Sequence, residues 1–418
     1  MTGDGAVTAD PQPRPRLIVM ASTFPVHRND GVPAFVLDIA REQAREFDVT
    51  VLTPMVPGAP RSERLDGVDV VRFRYFFSRW EDLADGAILD NLRANPTRWL
   101  QVLPLVIGQA QALRRLVRQT PPAAIHAHWV IPQGLVAALV APRVPTIVTT
   151  HGADIYALNN PVLVRVKSWV LRRAARVSTV NADMVKRLVS WRVPASRIDL
   201  LPMGVDLDHA RSANTGLVRE RGRIVVVGRL VEKKGIAVLV DALRKHVTHR
   251  DAAVTVVGDG PLRAQLERQA RGWRVRFLGQ LGRDDVLREM GHSSVFVIPS
   301  IEAASGDREG LPVVLLEAAA MGAAIVASDL PGINEALQHG TSALLVPAGD
   351  AEALGAAIDR LLSDDALRQR LGRGAQQRAE LYSVTRIGAS YRDAVHDVIR
   401  SEQQPVTAKA LRLRQAQQ

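Results

Sequence analysis

Basic side chains gather where an apolar run at 223–228 gives way to an amphipathic helical pattern. Arg229 follows the run directly, and Lys234 lies just before the helix. The N-terminus of a helix favours an anion, because its free backbone N–H groups and its dipole face the ligand. The pattern therefore favours binding of a diphosphate, although a solvated basic loop would show the same residues. Gly258, in the glycine turn after the next apolar run, belongs either to this site or to a tight connection.

Two carboxylates lie in and beside the most apolar helical pattern of the chain. Glu309 belongs to the glycine-bounded loop 306–310, and Glu317 lies inside the apolar run that follows Pro312. An ionised carboxylate in an apolar helix is unfavourable unless a partner satisfies it. If the intervening residues were all helical, the two carboxylates would be about 12 Å apart, so they can flank one elongated ligand but cannot share a proton. The alternative is that Glu317 is satisfied by the local backbone or by an arginine.

Histidines stand at the ends of two apolar runs in the first half of the chain. One run, at 123–129, contains His128, and the next, at 146–152, ends in His151 and is followed by Asp154. Ligands of open parallel sheets bind beyond the carboxyl ends of the strands, so these side chains are candidates for a cleft. For His128 the sequence favours a structural hydrogen bond over direct contact with a ligand.

Several kinds of chemistry are excluded by what the sequence lacks. There is no cysteine, which excludes thiolate metal sites, iron–sulfur clusters and a cysteine nucleophile. No GxGxxG fingerprint, P-loop or DxD motif follows an apolar run, and no His, Asp and Glu residues have the spacing of metal ligands. We therefore expect no metal and no cofactor. A leaving diphosphate would then be neutralised by Arg229, Lys234 and the helix N-terminus.

These residues require a scaffold of two α/β domains. With 418 residues, 47% of them hydrophobic, the chain is long enough for two cores. Short β-branched runs alternate with helical patterns and the series then restarts, which predicts two doubly wound Rossmann-like domains facing across a cleft. The predicted strands lie at 16–22, 48–54, 68–73, 123–129, 146–152, 177–181 and 198–204, and then at 223–230, 253–260, 275–281, 294–300, 323–329 and 342–349.

The domain boundaries follow from the same patterns. The N-terminal domain is predicted at 16–205 and the C-terminal domain at 223–384. The polar stretch 206–222 between them shows neither helical nor strand periodicity and is predicted to be a linker. Residues 1–15 and 403–418 are predicted to be tails, the first of them disordered.

The charge of the chain is unevenly distributed. Its formal net charge is +11, and residues 1–205 hold 25 basic and 17 acidic side chains, so +8 of the excess lies in the first half. Such an excess favours an anionic partner: a phosphorylated small molecule, a nucleic acid or an anionic membrane. Helical spacing predicts one basic face. This face would bind anionic lipid or a phosphorylated acceptor, or it would only be solvated. This face is formed by Arg165, Trp169, Arg172, Arg173 and Arg176.

No segment has the pattern of a membrane span or a secretory signal. The longest stretch without formal charge, 119–142, is interrupted by prolines, histidines and a glycine. The N-terminus carries acidic residues before its first apolar run. We therefore expect a cytoplasmic protein, which would be peripheral at the inner face of the membrane if the basic face binds lipid.

Taken in order, the motifs resemble those of a known family. FP…DG near the start, HAHW, THGAD and PMGVD are followed by GRLVEKKG, VGDGP, a pair of glutamates separated by seven residues, and ASDLPGINE. This series resembles the retaining nucleotide-sugar glycosyltransferases of family 4, which have the GT-B fold, over roughly residues 16–395. The resemblance implies that a C-terminal helix at about 385–402 packs back on the N-terminal domain.

The resemblance also implies a role for each candidate residue. Arg229 and Lys234 would clamp the donor diphosphate. Glu317 would accept hydrogen bonds from the ribose hydroxyls, Glu309 would lie beside the sugar, and His151 would bind the sugar. The expected catalytic residues are then His151, Glu309, Arg229 and Lys234, the remaining donor contacts are Gly31, Gly258, Gly310 and Leu311, and the acceptor-side candidates are His128 and Asp154.

The implied reaction is transfer of a hexose-type sugar from a UDP-, GDP- or other nucleotide diphosphate donor, with retention of configuration and without metal. The acceptor would be a small molecule, a polysaccharide or a lipid-linked glycan, and no nucleic acid partner is implied. Two alternatives remain: a nucleotide-sugar epimerase or phosphorylase on the same fold, or a catalytically inactive membrane-docking partner subunit.

Overall fold

A computed structural model describes residues 13–86 and 88–403. It contains two α/β domains, each built on a mostly or wholly parallel sheet, which confirms the predicted fold class. The predicted tails at 1–15 and 403–418 lie almost entirely outside the described residues.

Two sheets form the centres of the two domains. The strands of the first are β1 (Arg16–Met20), β2 (Asp48–Pro54), β3 (Ser62–Leu65), β4 (Val68–Phe73), β5 (Ala124–His128), β6 (Thr146–Thr149), β7 (Arg176–Thr179) and β8 (Ile198–Leu200). Those of the second are β9 (Arg223–Val227), β10 (Ala253–Val257), β11 (Val275–Gly279), β12 (Val295–Ile298), β13 (Ile325–Ser328) and β14 (Leu344–Val346). Their orders are β3-β4-β2-β1-β5-β6-β7-β8 and β11-β10-β9-β12-β13-β14.

The central strands are apolar along their whole length. In β1 the residues from Leu17 to Met20 are fully buried, because helices cover both faces of the sheet. Each predicted run contains an observed strand, except that β7 begins one residue before the run 177–181. The sequence patterns missed β3, which pairs antiparallel with β4 through a turn at Asp66 and Gly67, both with positive φ. An Asp-Gly pair between two short strands is a hairpin signal, so the sequence does contain the information.

Helices cover both faces of each sheet. They are α1 (Phe35–Gln43), α2 (Ile88–Ala94), α3 (Val102–Gln119), α4 (Leu135–Val140), α5 (Ala153–Tyr156), α6 (Pro161–Arg173), α7 (Ala182–Ser190), α8 (Leu207–Ala213), α9 (Ile236–Lys245), α10 (Arg263–Gln269), α11 (Arg283–His292), α12 (Val313–Ala320), α13 (Ile333–Ala336), α14 (Ala351–Ser363), α15 (Asp365–Ala379) and α16 (Val384–Gln403). In the N-terminal domain α1 and α16 share one core with the sheet, and α3 and α4 share the core on its other face.

The segment between the domains is partly helical, so the predicted absence of periodicity at 206–222 is wrong. Asp206 is the N-cap of α8 and accepts a hydrogen bond from His209 N. Leu207 and Ala210 are buried, and α8 packs against α11 and α12. An N-cap and two apolar contacts are enough to form two helical turns once a surface is present to pack against.

The last helix returns to the first domain. α16 packs against α1, and Arg392 on α16 forms ion pairs with Glu42 and Glu46. The N-terminal sheet is therefore covered on one face by a segment from the far end of the described chain.

Candidate functional site

Three charged side chains meet at the carboxyl edge of the second sheet. Lys234 Nζ lies 3.0 Å from Glu309 Oε2, and Lys233 Nζ lies 3.6 Å from Glu309 Oε1. Burial of Glu309 opposes ionisation, but the two ammonium groups outweigh burial and lower the pKa of Glu309 to about 2. Glu309 is therefore an anion at neutral pH. It lies in the segment after β12 and pairs with the two lysines of the segment after β9, the neighbouring strand.

Arg229 reaches across the cleft to the N-terminal domain. Its Nη1 lies 2.7 Å from Asp90 Oδ2 on α2, and its side chain is 40% exposed. Asp90 thus pairs with the cation that the sequence assigns to the donor diphosphate. A diphosphate that binds Arg229 must compete with this carboxylate.

Glu317 on α12 is buried and pairs with an arginine, which is the alternative that the sequence left open. Arg283 Nε, at the start of α11, lies 3.5 Å from Glu317 Oε1, and Arg283 Nη1 lies 3.3 Å from Asp38 Oδ2 on α1. Burial raises the pKa of both carboxyls, since the charge of Arg283 only partly offsets the loss of solvent. Asp38, Arg283 and Glu317 therefore join the two domains, and a ribose contact of Glu317 stays a prediction.

Three histidines form a row in the N-terminal domain, in which His126 and His128 are fully buried and His151 is half-buried. His126 Nε2 lies 2.7 Å from Thr149 Oγ1, and His128 Nδ1 lies 3.0 Å from His151 Nε2. Burial lowers the pKa of His126 and of His151 to about 3 and also lowers that of His128. All three imidazoles are therefore neutral near pH 7. His128 is placed to orient His151, as the structural interpretation of the sequence expects.

Asp154 shapes the turn that carries His151. Its Oδ1 accepts hydrogen bonds from His151 N at 2.9 Å and Gly152 N at 3.1 Å, and its Oδ2 accepts from Val130 N at 3.3 Å. Both carboxylate oxygens are thus occupied by the backbone. The structure gives Asp154 a positioning role, and an acceptor contact would require it to release these bonds.

The loop of Glu309 touches the turn of His151. A Cβ on Gly310 would lie 2.7 Å from His151 O, and one on Gly152 would lie 2.8 Å from Gly310 N. Asn181 Nδ2 also donates to Gly310 O at 2.8 Å. Glycine at both positions permits this backbone approach, so the loop of Glu309 and the turn of His151 are in contact between the domains.

Two further predicted glycines also lie at close approaches. A Cβ on Gly31 would lie 2.4 Å from the side-chain nitrogen of Gln280, so Gly31 faces the C-terminal domain. A Cβ on Gly258, where φ is +127°, would lie 2.1 Å from Gly228 O. Gly258 therefore supports the turn that leads to Arg229.

The helix after Glu309 begins at the same edge. Pro312 is the N-cap of α12, and Leu311 beside it is buried. The first backbone N–H groups of a helix have no intrahelical partner. In α12 Leu315 N donates to Pro312 O at 3.1 Å, which leaves the N–H groups of Val313 and Val314 as candidates to bind an anion or sugar hydroxyls.

A polar cavity of about 640 Å³ opens between the domains beside the loop of Glu309. It is lined by Tyr156, Asn159, Asp183, Lys186 and Arg187 of the N-terminal domain and by Glu302, Ser305, Gly306 and Arg308 of the C-terminal domain. Arg308 lies 4.2 Å from the centre of the Tyr156 ring and forms an ion pair with Asp183. This cavity is large enough for a sugar-sized acceptor group.

Several charged residues of the site were not found by sequence reasoning. They are Asp38, Asp90 and Arg283, each of which lies on a helix of otherwise ordinary amphipathic pattern. Each pairs with a residue of the other domain. No local signal marks such a residue, because its partner is distant in the sequence.

The predicted basic face is wrong in one residue. α6 ends at Arg173, and Arg176 lies on β7, where it pairs with Asp199 and Asp397. Arg165, Arg172 and Arg173 are exposed on α6, with Arg173 over the ring of Trp169.

Across residues 13–86 and 88–403, no helix is long and apolar enough to cross a membrane. In the same residues no group of three His, Asp or Glu side chains could hold a metal ion.

The sequence matches two family descriptions. Residues 29–209 match Glycosyltransferase Family 4, and residues 221–364 match Glycosyl transferases group 1. The first match covers most of the N-terminal domain and the second covers most of the C-terminal domain.

Similar curated proteins act on glycans and glycolipids according to their names. The amylovoran biosynthesis glycosyltransferase AmsK of Erwinia amylovora is 33% identical, with 43% of this chain and 46% of AmsK aligned. A glycogen synthase of Mycobacterium tuberculosis is 30% identical, with 62% and 65% aligned. A phosphatidyl-myo-inositol mannosyltransferase of Mycobacterium leprae is 33% identical, with 54% and 60% aligned. The chain thus spans about half to two thirds of the length of these relatives.

Similar solved structures extend over nearly the whole chain. The sucrose-phosphate synthase of Thermosynechococcus elongatus has a TM-score of 0.72 at 19% identity, with 93% of this chain and all of that chain covered. HepE of Anabaena, in complex with UDP and glucose, has a TM-score of 0.69 at 18% identity, with 92% and 100% covered. At such low identity the likeness establishes the fold.

Proposed function

Because the chain belongs to the family 4 glycosyltransferases with the GT-B fold, we propose that it transfers a hexose-type sugar from a nucleotide diphosphate donor to an acceptor. The observation that carries the proposal is the meeting of Glu309 and Lys234 with the turn of His151 between the two domains. The lysines proposed to bind the diphosphate and the imidazole proposed to bind the sugar are thus carried by segments that are in contact.

The donor is a nucleotide sugar held by the C-terminal domain. Arg229, Lys233 and Lys234 supply cations at the carboxyl edge of the sheet, where α/β proteins bind phosphates. HepE has been solved with UDP and with UDP-glucose, which supports the same class of donor. Glu317 is proposed to accept from the ribose hydroxyls once the ligand displaces part of its pairing with Arg283.

The cations stabilise the leaving diphosphate. Negative charge on the bridging oxygen grows as the glycosidic bond breaks, so Arg229 and Lys234 interact more strongly with the transition state than with the ground state. Neutral His151 is suited to hydrogen bond a sugar hydroxyl. We propose that this chemistry needs no metal ion, and that activity persists in the presence of a chelator.

Transfer proceeds with retention of configuration. With pKa values of about 3 and about 2, His151 and Glu309 are both weak bases near neutral pH. In the proposed step the leaving phosphate oxygen takes the acceptor proton, and the acceptor oxygen bonds to the anomeric carbon on the face from which the diphosphate departs. No protein general base is required.

The acceptor is proposed to be a small molecule, a polysaccharide or a lipid-linked glycan bound on the N-terminal side. The names of AmsK and of the phosphatidyl-myo-inositol mannosyltransferase support glycan and lipid acceptors. The exposed basic side chains of α6 favour an anionic surface as a second partner.

The test begins with a thermal-shift screen of UDP-, GDP- and ADP-sugars, since a ligand at 100 times its Kd stabilises the folded state by about 2.7 kcal/mol. Lys234→Ala is then compared with Lys245→Ala, an exposed lysine far from the cleft. Loss of a charge-assisted contact is expected to weaken donor binding by about tenfold to a hundredfold in the first variant only. Equal binding in both variants would place the donor elsewhere. Turnover that requires an acceptor separates transfer from epimerisation and from an inactive subunit.

A further inference from the structure

One side of the N-terminal domain consists of three helices without an acidic residue. α3, α4 and α6 lie side by side, since α4 packs against both of the others. Residues 91–153 contain six arginines and no Asp or Glu, and α6 also lacks acidic residues. We call the outward surface of these helices the α3/α4/α6 face.

The α3/α4/α6 face is apolar as well as basic. Large apolar side chains that point to solvent, each between 46% and 66% exposed, are Leu103, Ile107, Leu139 and Val162. Such side chains are expected in a core, yet α3 already buries Leu105, Leu113 and Leu116 on its inner side. A helix with one apolar side in the core and a second toward solvent has an unpartnered surface.

The exposed stripe of α3 has two halves. Leu103 and Ile107 occupy its N-terminal half, and Arg114 and Arg118 follow on the same side at helical spacing. Arg115, Arg165, Arg172 and Arg173 complete the exposed basic set of the face. In the described part of the chain, no carboxylate pairs with these six guanidiniums; Arg172 donates to Ser168 O, and Arg173 lies over Trp169.

Aromatic side chains border the apolar end of the face. Asp82 pairs with Arg98 and accepts a hydrogen bond from the Gln101 side chain, which fixes the loop before α2 against the start of α3. The exposed apolar residues of these two segments, between 60% and 74% exposed, are Phe77, Trp80, Trp99 and Leu100. Aromatic rings beside aliphatic and basic groups match the headgroup region of a bilayer.

The opposite side of the domain gives the contrast. On α16, Arg392 pairs with Glu42 and Glu46, and His396 also contacts Glu46. Charges there are neutralised within the protein. The six exposed guanidiniums of the α3/α4/α6 face have no such carboxylate partner among the described residues.

We propose that the α3/α4/α6 face docks the protein on an anionic lipid bilayer, with Leu103 and Ile107 in the headgroup layer and the arginines on lipid phosphates. A nucleic acid would match the arginines but not the exposed aliphatic stripe. The apolar end of α3 follows α2, whose Asp90 contacts Arg229, so docking would hold the mouth of the donor cleft near the membrane. This docking goes beyond the proposed transfer reaction and does not depend on it.

The experiment is flotation of the full chain with vesicles of phosphatidylcholine, either pure or with about one third phosphatidylglycerol. The protein is expected to bind only the anionic vesicles, and binding is expected to fall as salt rises. Leu103→Glu/Ile107→Glu and Arg114→Glu/Arg118→Glu should each weaken binding by about tenfold or more. Thermal melting of each variant and binding of a nucleoside diphosphate report on folding and on the donor site separately.

Matched variants carry the same changes elsewhere. Val218→Glu/Leu381→Glu replaces two exposed apolar residues outside the face, and Arg244→Glu/Arg268→Glu reverses two exposed charges of the C-terminal domain. Both should bind vesicles like the parent. The proposal is overturned if the parent ignores anionic vesicles at low salt, or if the control variants lose as much binding as the face variants. It is also overturned if the parent is a dimer that does not bind vesicles and the Leu103→Glu/Ile107→Glu variant is a monomer, since the face would then be a dimer interface.

Discussion

Glu309 owes its charge to two lysines, and this makes the folded state sensitive to acid. Its pKa lies at about 2, below the ordinary value of 4.5, because Lys234 and Lys233 outweigh the effect of burial. A carboxyl whose pKa is lowered on folding stabilises the protein above its unfolded pKa and loses that contribution as the pH falls through the folded pKa. We expect the advantage of the parent over Glu309→Gln to be constant above about pH 5. It should shrink by up to about 3 kcal/mol between pH 4.5 and pH 2.

The measurement is the free energy of unfolding in urea across this pH range. Glu352→Gln, at an exposed position of α14, is the control and should show a nearly constant difference from the parent. If Glu309→Gln and Glu352→Gln followed the same pH dependence, the lysines would not stabilise the ionised form of Glu309.

The sequence identifies a candidate site residue when the residues next to it in the chain show that it lies near the end of a strand or inside an apolar helix. Arg229 directly follows an apolar run, and Lys234 and Glu309 lie in the loops that lead from such runs to the next helix, at the edge where parallel sheets bind ligands. Asp38, Asp90 and Arg283 were missed because each acts on a residue of the other domain. Glu317 shows the same limit: its need for a partner was evident from its apolar helix, but the identity of the partner required the tertiary structure.

Gly235 connects Lys233 and Lys234 to α9, and its backbone conformation limits which residue types can replace it. Its φ is +64°, and a Cβ would lie 1.8 Å from Pro299 O. Gly340 has a φ of +76° with nothing within 4 Å of its Cβ position, so it provides a matched control. We expect Gly340→Ala to cost about 1 kcal/mol of stability through backbone strain alone. Gly235→Ala should cost about 1–3 kcal/mol more, because the loop after β12 must move.

Urea unfolding of both variants checks this difference, and donor binding by Gly235→Ala shows whether Lys234 has moved with the loop. Equal stabilities of the two variants would mean that the contact with Pro299 O relaxes without cost.

The existence of the strands was easier to predict from the sequence than the residues at which helices and strands begin and end. A run that is apolar and β-branched along its whole length, such as β1 or β9, is typical of a strand buried on both faces. The edge strand β3 is half exposed and polar, so only its Asp-Gly turn marked it. Arg176 was assigned to a helix because its spacing from Arg165 is also helical, although α6 ends at Arg173 and leaves it on β7.

The two domains are connected by charges that a donor would also use. Arg229 pairs with Asp90, and Arg283 bridges Asp38 and Glu317. In each case a carboxylate of the N-terminal domain occupies a cation of the C-terminal domain. If the donor binds as proposed, a nucleotide diphosphate exchanges contacts between the domains for contacts with the ligand, and this would link donor binding to the relative position of the domains.

Asp90 offers the clearest test of this exchange. If Asp90 competes with the donor diphosphate for Arg229, then Asp90→Asn should release the guanidinium and tighten binding of a nucleoside diphosphate. The pair is partly exposed, so the gain should be about 0.5–1 kcal/mol, or about twofold to fivefold in Kd. Titration calorimetry measures it, with Asp85→Asn as the control, since Asp85 is an exposed acidic residue of the preceding loop. Weaker binding by Asp90→Asn would show instead that Asp90 orients Arg229 for the ligand, and unchanged binding would place the diphosphate away from this pair.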